Sequence, residues 1–218
     1  MQATKKANLI FLTGFSTAGK STIGPILANA LGFEFLDVDK EVIDIEKKSV
    51  NDIFAEKGEA YFRTIEHEVI RKASERENVI VALGGGSLEH DQSFEVIKQT
   101  GTLIYLKSEL ETLTRRLSAK DDRPMLKNES GEKISAEEVA LRVGQLMATR
   151  EARYLSHALI SVYTDKTPIG KTVESLVRQI EKHLKDLSTS STASPAAGDS
   201  EPASSTPSTG AAAPAQAS

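Results

Sequence analysis

The stretch "NLIFLTGFSTAGKST", residues 8–22, leads from a short apolar run into a glycine-rich turn that ends in Lys-Ser-Thr. Residues 14–21 of this stretch, "GFSTAGKS", fit the phosphate-binding pattern G-x-x-x-x-G-K-[ST]. In that pattern, backbone N–H groups surround phosphates at the N-terminus of a helix, where the helix dipole favours negative charge. The stretch therefore predicts a strand, a phosphate-binding loop and a helix, in that order.

The residue types in the loop predict how it holds a nucleoside triphosphate. Lys20 is expected to bridge the β and γ phosphates, and the Ser21 hydroxyl is expected to hold Mg²⁺. Thr17 occupies a loop position where glycine is common, which predicts backbone strain, and Pro25 removes a hydrogen bond from the second turn of the helix. The predicted ATP contacts in the loop are Gly14, Thr17, Ala18, Gly19, Lys20, Ser21 and Thr22.

Apolar runs elsewhere in the chain predict the rest of a parallel sheet. Candidate buried strands lie at 8–12, 33–38, 79–83, 102–106 and 158–163. Because helical patterns separate these runs, we expect parallel strands with helices on both faces. The sequence therefore predicts an α/β fold of the P-loop NTPase type, a three-layer α/β/α arrangement around a central five-stranded parallel sheet.

Capping and breaking residues predict where several helices begin and end. Ser49 and Asp52 form a capping-box pattern at the start of "SVNDIFAEKG", and Gly58 is expected to stop that helix. A further helix is expected over 59–76, and the last helix over 171–187.

Composition divides the chain of 218 residues into a folded domain and a tail. Residues 188–218 contain no Leu, Ile, Val or aromatic residue, so they cannot bury enough apolar surface to offset the entropy of ordering. We expect a disordered tail there and one domain over 1–187. Within that domain, segment 117–135 is charged and poor in apolar residues, which is typical of a mobile lid.

Charge and composition exclude several classes of function. The formal net charge is −4, and Asp199 and Glu201 in the tail contribute half of it, so nucleic acid is not expected as a partner. There is no cysteine and the four histidines are scattered, which predicts neither disulfides nor a thiolate metal site. No run approaches the roughly twenty apolar residues of a membrane span, which favours a soluble cytoplasmic protein without a membrane partner.

Two aspartates are the first indication of what accepts the phosphate. The Asn-Lys-x-Asp box of GTPases is absent, and large ATPases need a longer chain, so the loop favours a small-molecule kinase. Asp37 and Asp39 lie two apart at a predicted strand end, so their side chains are expected to project the same way. One would serve Mg²⁺ through water and the other would take or orient a hydroxyl proton. The alternative is a pair of solvated acids in a turn.

An arginine and a run of glycines add to this picture. Arg63 lies one position from the apolar stripe of its helix, which suits bidentate recognition of a carboxylate. The alternative is an ion pair with Glu59 or Glu66 on the same helix. Gly84-Gly85-Gly86 ends a predicted strand, and three glycines let the backbone approach a ligand at the carboxyl edge of the sheet.

At this point the chain resembles the shikimate kinases, over about residues 8–185. The resemblance rests on "GFSTAGKST", "FLDVDKEVIDIEKKSVNDIFAEKGEAYFRTIE", "VIVALGGG", "DRPML" and "REARY", in that order. It implies transfer of the ATP γ-phosphoryl group to the 3-hydroxyl of shikimate, on the route to chorismate and the aromatic amino acids. It also implies Mg²⁺ as the cofactor and a monomeric enzyme.

On the acceptor side, the resemblance assigns roles residue by residue. Asp39 matches the family's aspartate on the acceptor hydroxyl, and Asp37 matches the one near Mg²⁺, which it holds through water. Arg63 and Arg150 match two arginines on the shikimate carboxylate. The implied substrate-binding set, with its region at about 39–66, is Asp39, Arg63, Gly84, Gly85, Gly86 and Arg150.

On the nucleotide side, the resemblance points to the lid and its neighbours. Arg123 matches an arginine that reaches the ATP phosphates when the lid closes, and Arg116 matches one that packs on adenine. Lys166 stands where a further nucleotide-side arginine is common, and Arg153 is a second candidate for the role of Arg150. The implied catalytic set is Lys20, Asp39 and Arg123.

Two other functions stay open on the sequence alone. A kinase for another small polyol acid, such as gluconate, would also suit two arginines and Asp39. The non-enzymatic alternative is a nucleotide-binding regulatory module, which should have lost Lys20, Asp39 or Arg63, and all three are present. ATP turnover that rises with shikimate would separate the first function from both.

Overall fold

The computed structural model describes residues 5–119 and 134–192. The protein is built around a sheet whose strands, in chain order, are β1 (Leu9–Thr13), β2 (Glu34–Asp37), β3 (Val79–Ala82), β4 (Thr102–Lys107) and β5 (Ile160–Tyr163). The spatial order is β2-β3-β1-β4-β5, and all neighbouring pairs are parallel. The predicted five-stranded parallel sheet is confirmed.

Helices cover both faces of this sheet. They are α1 (Lys20–Leu31), α2 (Val38–Glu46), α3 (Val50–Ser74), α4 (Asp91–Thr100), α5 (Leu110–Ser118), α6 (Ala136–His157) and α7 (Ile169–Thr192), with a short 3-10 turn at Ser87–Glu89. In β1, Leu9 and Phe11 enter one core, with side chains from α2 to α6, whereas Ile10 and Leu12 enter the other, with α1 and α7. This alternation produces the predicted three layers. No helix in the described ranges is long and apolar enough to cross a membrane.

Helix α3 is two helical segments joined at a glycine. Its start is capped as predicted, since the Ser49 hydroxyl accepts a hydrogen bond from the Asp52 N–H at 3.1 Å. Gly58 then leaves the helical conformation, with φ 79° and ψ 169°. A positive φ favours glycine, so the predicted break lies at the residue that can adopt it without strain.

Helix α7 is longer than the sequence predicts. It begins at Ile169 and ends at Thr192, beyond the expected range of 171–187, so the expected domain boundary at 187 lies inside a helix. Ser and Thr are weak helix formers but do not break a helix, and each added residue gains a hydrogen bond on an existing helix. The proposed tail beyond Thr192 and most of the proposed lid, 117–135, lie outside the described residues.

The carboxyl ends of three neighbouring strands bring the expected site residues together. The phosphate-binding loop follows β1, Asp37 ends β2, and Gly84–Gly86 follow β3. Because β2, β3 and β1 are adjacent in the sheet, these segments lie side by side at one edge.

Candidate active site

The loop between β1 and α1 has the backbone conformation that its glycines allow. Gly14 and Gly19 have φ values of 149° and 106°, a region that favours glycine. A side chain at Gly14 would also collide with the carbonyl of Leu106 in β4. Thr17 has φ 69°, so the unfavourable backbone predicted at this position is confirmed.

The Lys20 ammonium lies over its own loop. It donates hydrogen bonds to the carbonyl oxygens of Gly14, at 2.6 Å, and Phe15, at 3.1 Å. Lys20 is also the first residue of α1, where the helix dipole is positive. The lysine and the start of α1 together place positive charge on this side of the cleft, which favours an anion.

Two side chains from distant elements hold the loop from either side. Arg116 of α5 donates to the carbonyl of Thr17 at 3.1 Å. The buried Thr164, which follows β5, donates to the carbonyl of Ala18 at 2.7 Å. Behind the loop, α1 continues through Pro25, so the predicted loss of one hydrogen bond does not end the helix.

Asp37 and Asp39 reach the site from different elements. Asp37 ends β2 and caps α2, and its carboxylate accepts a hydrogen bond from the Ser21 hydroxyl at 2.7 Å. Asp39 lies in the first turn of α2, because the chain becomes helical at Val38. The prediction that both acids project from one strand end is therefore wrong, although both carboxylates line the same cleft.

Arg63 lies on the second segment of α3, with its side chain 17% exposed. Its guanidinium pairs with Glu59 at 3.0 Å and with Glu66 at 2.8 Å. Glu66 is fully buried and also accepts a hydrogen bond from the Ser87 hydroxyl at 2.6 Å. Burial raises the pKa of Glu66, and the Arg63 charge opposes that rise. The ion pair that was the alternative interpretation of Arg63 is present with both glutamates, and Arg63 lines the cleft as well.

The turn after β3 packs tightly against these charged groups. A side chain at Gly84 would collide with the carboxylates of Glu66 and Asp39, and one at Gly86 would collide with the Arg63 guanidinium. At Gly84 and Gly86, the absence of a side chain therefore lets these charged groups approach the turn closely.

The carbonyl of Gly85 connects the same turn to helix α6. It accepts hydrogen bonds from Arg150, at 3.1 Å, and from the Tyr154 hydroxyl, at 2.9 Å. Arg153, the alternative to Arg150, instead pairs with Asp91 at 2.7 Å and is absent from the lining of the cleft. Of the two candidate arginines, Arg150 is the one that the fold brings to the glycine turn.

These groups face one cleft of about 870 Å³. The expected site residues in its lining are Thr17, Gly19, Lys20, Ser21, Thr22, Asp37, Asp39, Arg63, Gly85, Gly86, Arg116 and Arg150. Gly14, Ala18 and Gly84 belong to the surrounding backbone and are not part of the lining. Lys166 is also outside it: its ammonium pairs with Glu109 at 2.9 Å. Arg123 lies outside the described residues.

Sequence reasoning missed the apolar part of this lining. The missed residues include Phe15, Val50, Phe54, Leu83, Leu146 and Ile169. Val50 and Phe54 are one helical turn apart, which is also the spacing of an ordinary core stripe, so the sequence carries no signal that sets them apart.

The arrangement can bind a polyphosphate and a second anion together. Backbone N–H groups and Lys20 favour phosphate, whereas two arginines and the Asp39 carboxylate beside the glycine turn favour a small acid with hydroxyl groups. Within 5–119 and 134–192, no cluster of three or more histidine, cysteine or acidic side chains could hold a metal by itself.

Comparison with known proteins agrees with this geometry. A sequence profile described as shikimate kinase matches residues 16–181. The chain belongs to the shikimate kinase family. The shikimate kinase of Chloroherpeton thalassium is 61% identical over 181 residues, which cover 83% of this chain and 96% of that protein. The shikimate kinase of Chlorobaculum tepidum is 52% identical over 188 residues, covering 86% and 98% of the two chains.

Solved structures of shikimate kinases have the same fold. The enzyme from Acinetobacter baumannii in complex with shikimate has a TM-score of 0.72 at 28% identity, covering 83% of this chain and 95% of that one. The enzyme from Bacteroides thetaiotaomicron has a TM-score of 0.70 at 30% identity, covering 81% and 97%. A gluconokinase from Sinorhizobium meliloti, at 15% identity over 86% and 99% of the chains with a TM-score of 0.53, shares the fold alone.

Proposed function

We propose that the protein transfers the γ-phosphoryl group of ATP to the 3-hydroxyl of shikimate, giving 3-phosphoshikimate and ADP. The observation that carries this proposal is one cleft that joins the phosphate-binding loop to Arg63, Arg150 and Asp39. The reaction belongs to the route to chorismate and the aromatic amino acids. Phosphoryl transfer asks the protein mainly for positioning and charge stabilisation, which such a cleft supplies.

On the nucleotide side, the loop N–H groups hold the phosphates and Lys20 bridges the β and γ phosphates. Lys20 has to exchange its contacts with the loop carbonyls for the phosphate oxygens. Arg116 sits against Thr17 at the edge of the loop, a position that supports packing on the adenine. The roles of Arg123, outside the described residues, and of the surface-paired Lys166 stay predictions.

Mg²⁺ fits the oxygen donors beside the loop. The Ser21 hydroxyl and the Asp37 carboxylate lie 2.7 Å apart, and Mg²⁺ prefers such oxygen ligands while keeping several waters. Ser21 would hold the ion directly and Asp37 would hold it through water, with the remaining ligands from ATP. When bound, the ion neutralises charge on the transferred group.

On the acceptor side, Arg63 and Arg150 bind the shikimate carboxylate with their planar guanidinium groups. Asp39 accepts or orients the proton of the attacking hydroxyl. Gly85 and Gly86, which carry no side chain, let the backbone approach the ring. Together these groups place the hydroxyl next to the phosphate end of the cleft.

Residues from β1 to α7 form the proposed catalytic domain. The catalytic domain includes all of α7, and its acceptor-binding region lies at about 39–66. We propose a cytoplasmic monomer without nucleic acid or membrane partners. The formal net charge of −4 supports the part of this proposal that concerns nucleic acid.

ADP release from MgATP tests the proposal directly. It should rise strongly when shikimate is added and stay near background when gluconate is added in parallel. A rise with gluconate alone would identify a different polyol-acid kinase. No rise with either acid would leave the cleft as a nucleotide site with another acceptor or none.

A further inference from the structure

A buried tyrosine at the acceptor end has no part in the function described so far. Tyr154 of α6 is 1% exposed, and its hydroxyl donates to the Gly85 carbonyl at 2.9 Å. Burial raises the pKa of Tyr154 to about 12, against the opposing effect of the Arg150 guanidinium. The phenol therefore keeps its proton, and its donor role, at neutral pH.

The Gly85 carbonyl also accepts a hydrogen bond from Arg150, which is proposed to bind the substrate. Arg150 donates to Gly85 at 3.1 Å and lines the cleft, whereas Tyr154 lies behind the lining. Under the proposed function, Arg150 turns toward the shikimate carboxylate, which weakens or breaks its bond to Gly85. Tyr154 then remains, among the described residues, as the side chain that holds this carbonyl.

We propose that Tyr154 is a positioning residue for the acceptor: its hydroxyl keeps the glycine turn in its acceptor-binding shape while Arg150 is engaged with substrate. The turn lies directly against substrate-binding side chains, because Gly84 is close to the Asp39 carboxylate and Gly86 is close to the Arg63 guanidinium. A shift of Gly85 would therefore move both neighbouring glycines relative to those substrate-binding side chains. The inference rests on the proposed function.

Tyr105 of β4 provides a matched control. It is 2% exposed, and its ring contacts the Tyr154 ring with centroids 5.2 Å apart. Its hydroxyl points to Glu151, at 3.5 Å, and not to the glycine turn. Tyr105→Phe and Tyr154→Phe each remove one oxygen from the same aromatic cluster, and only the second removes a bond to Gly85.

Steady-state ADP release of the full chain, measured against shikimate and ATP concentration, gives the test. Tyr154→Phe should raise the shikimate KM about 5- to 10-fold, because the net contribution of one neutral hydrogen bond is lost. The ATP KM should change little. Tyr105→Phe should leave both constants near wild type. A wild-type shikimate KM in Tyr154→Phe, or an equal rise in both variants, would overturn the inference. Wild-type protein without shikimate-dependent turnover would refute the proposed function itself.

A second measurement tests the same hydrogen bond without the Phe variant. A fluorinated tyrosine at position 154 keeps the ring and its packing but ionises at lower pH, and a phenolate cannot donate to Gly85. The shikimate KM should then rise with pH through that ionisation, and the same replacement at Tyr105 should give a flat profile. The charged groups that act on the phenol, Arg150, Arg63 and Glu89, are unchanged in both proteins. A flat profile at position 154 would also overturn the inference.

Discussion

The two ends of the cleft are built in different ways. The phosphate end is formed mainly by the backbone of residues 14–22, one continuous stretch. The acceptor end is assembled from side chains of α2, α3 and α6 around the turn after β3, so Asp39 and Arg150 meet only in the folded chain. A backbone site depends on a short pattern, whereas a side-chain site depends on the whole fold. We therefore expect one substitution at the phosphate end to remove most of the activity. At the acceptor end, we expect separate substitutions to affect the rate and the binding of shikimate separately.

Lys20→Ala should have the largest effect, because it removes the cation of the phosphate end. We expect kcat to fall by about 10³-fold or more, a loss at the upper range for a transition-state charge contact. Calorimetry should show shikimate affinity close to wild type, since the acceptor end is untouched. Lys98→Ala, on the exposed face of α4, is the matched control for loss of a lysine. Wild-type turnover in Lys20→Ala would refute the phosphate role.

Asp39→Asn should come next and affect rate more than binding. The amide keeps the shape of the side chain but cannot take a proton, so kcat should fall by about 10²-fold or more while the shikimate KM changes little. Asp44→Asn, at an exposed position five residues further along α2, is the control. An unchanged rate would show that Asp39 neither takes nor orients the hydroxyl proton.

Arg63→Ala should act on acceptor binding. Loss of one charged, bidentate contact should weaken shikimate affinity about 10- to 100-fold in calorimetry, with ATP affinity retained. Arg153→Ala, which removes an arginine outside the cleft, is expected to leave shikimate affinity near wild type. Unaltered affinity in Arg63→Ala would mean that its ion pairs with Glu59 and Glu66 are its whole role.

The last expected effect is on stability, and it depends on pH. Because its pKa is raised, Glu66 binds a proton more readily in the folded protein than in the unfolded chain. The Glu66 charge therefore lowers the free energy of unfolding at pH values above the ordinary carboxyl pKa, and has no such effect at pH values below it. At neutral pH, Arg63→Ala should lower the free energy of unfolding by about 3 kcal/mol, which corresponds to roughly 10 °C in Tm, because the Glu66 charge loses its partner. The difference from wild type should shrink as acid protonates Glu66.

Thermal melts over a pH series measure this, with Arg63→Ala/Glu66→Gln as the control. The double variant has no buried carboxylate at position 66, so its Tm difference from wild type should lack the extra loss at neutral pH. A pH-independent difference in Arg63→Ala alone would show that lost packing, and not the Glu66 charge, causes the destabilisation.

The sequence predicted most of the fold and the phosphate end because both follow local rules. Apolar runs identified the strands, and Ser49 and Gly58 identified the start and the break of α3. The sequence was a weaker guide to where individual side chains lie, because contacts between distant parts of the chain decide their positions. Asp39 lies on a helix because α2 begins at Val38, the last residue of the strand predicted over 33–38. Lys166, whose role was implied by the resemblance, pairs with Glu109 away from the cleft.

The acceptor end was accessible mainly through the resemblance to a family. The residue types of Arg63 and Arg150 are common on helices, and each could equally serve an ion pair. What distinguishes Arg150 from Arg153 is the Gly85 carbonyl, a contact between two distant parts of the chain. The apolar Phe54 could not be separated from the core by its spacing alone.

Under the proposed function, the contacts of Lys20 and Ser21 bear on product release. The ammonium is held by the carbonyls of Gly14 and Phe15, and the hydroxyl is held by Asp37. These partners act as an internal competitor for the nucleotide, because its phosphates and ion exchange one set of bonds for another. The same exchange would offset part of the cost of ADP release, because the lysine and the serine would regain these protein partners.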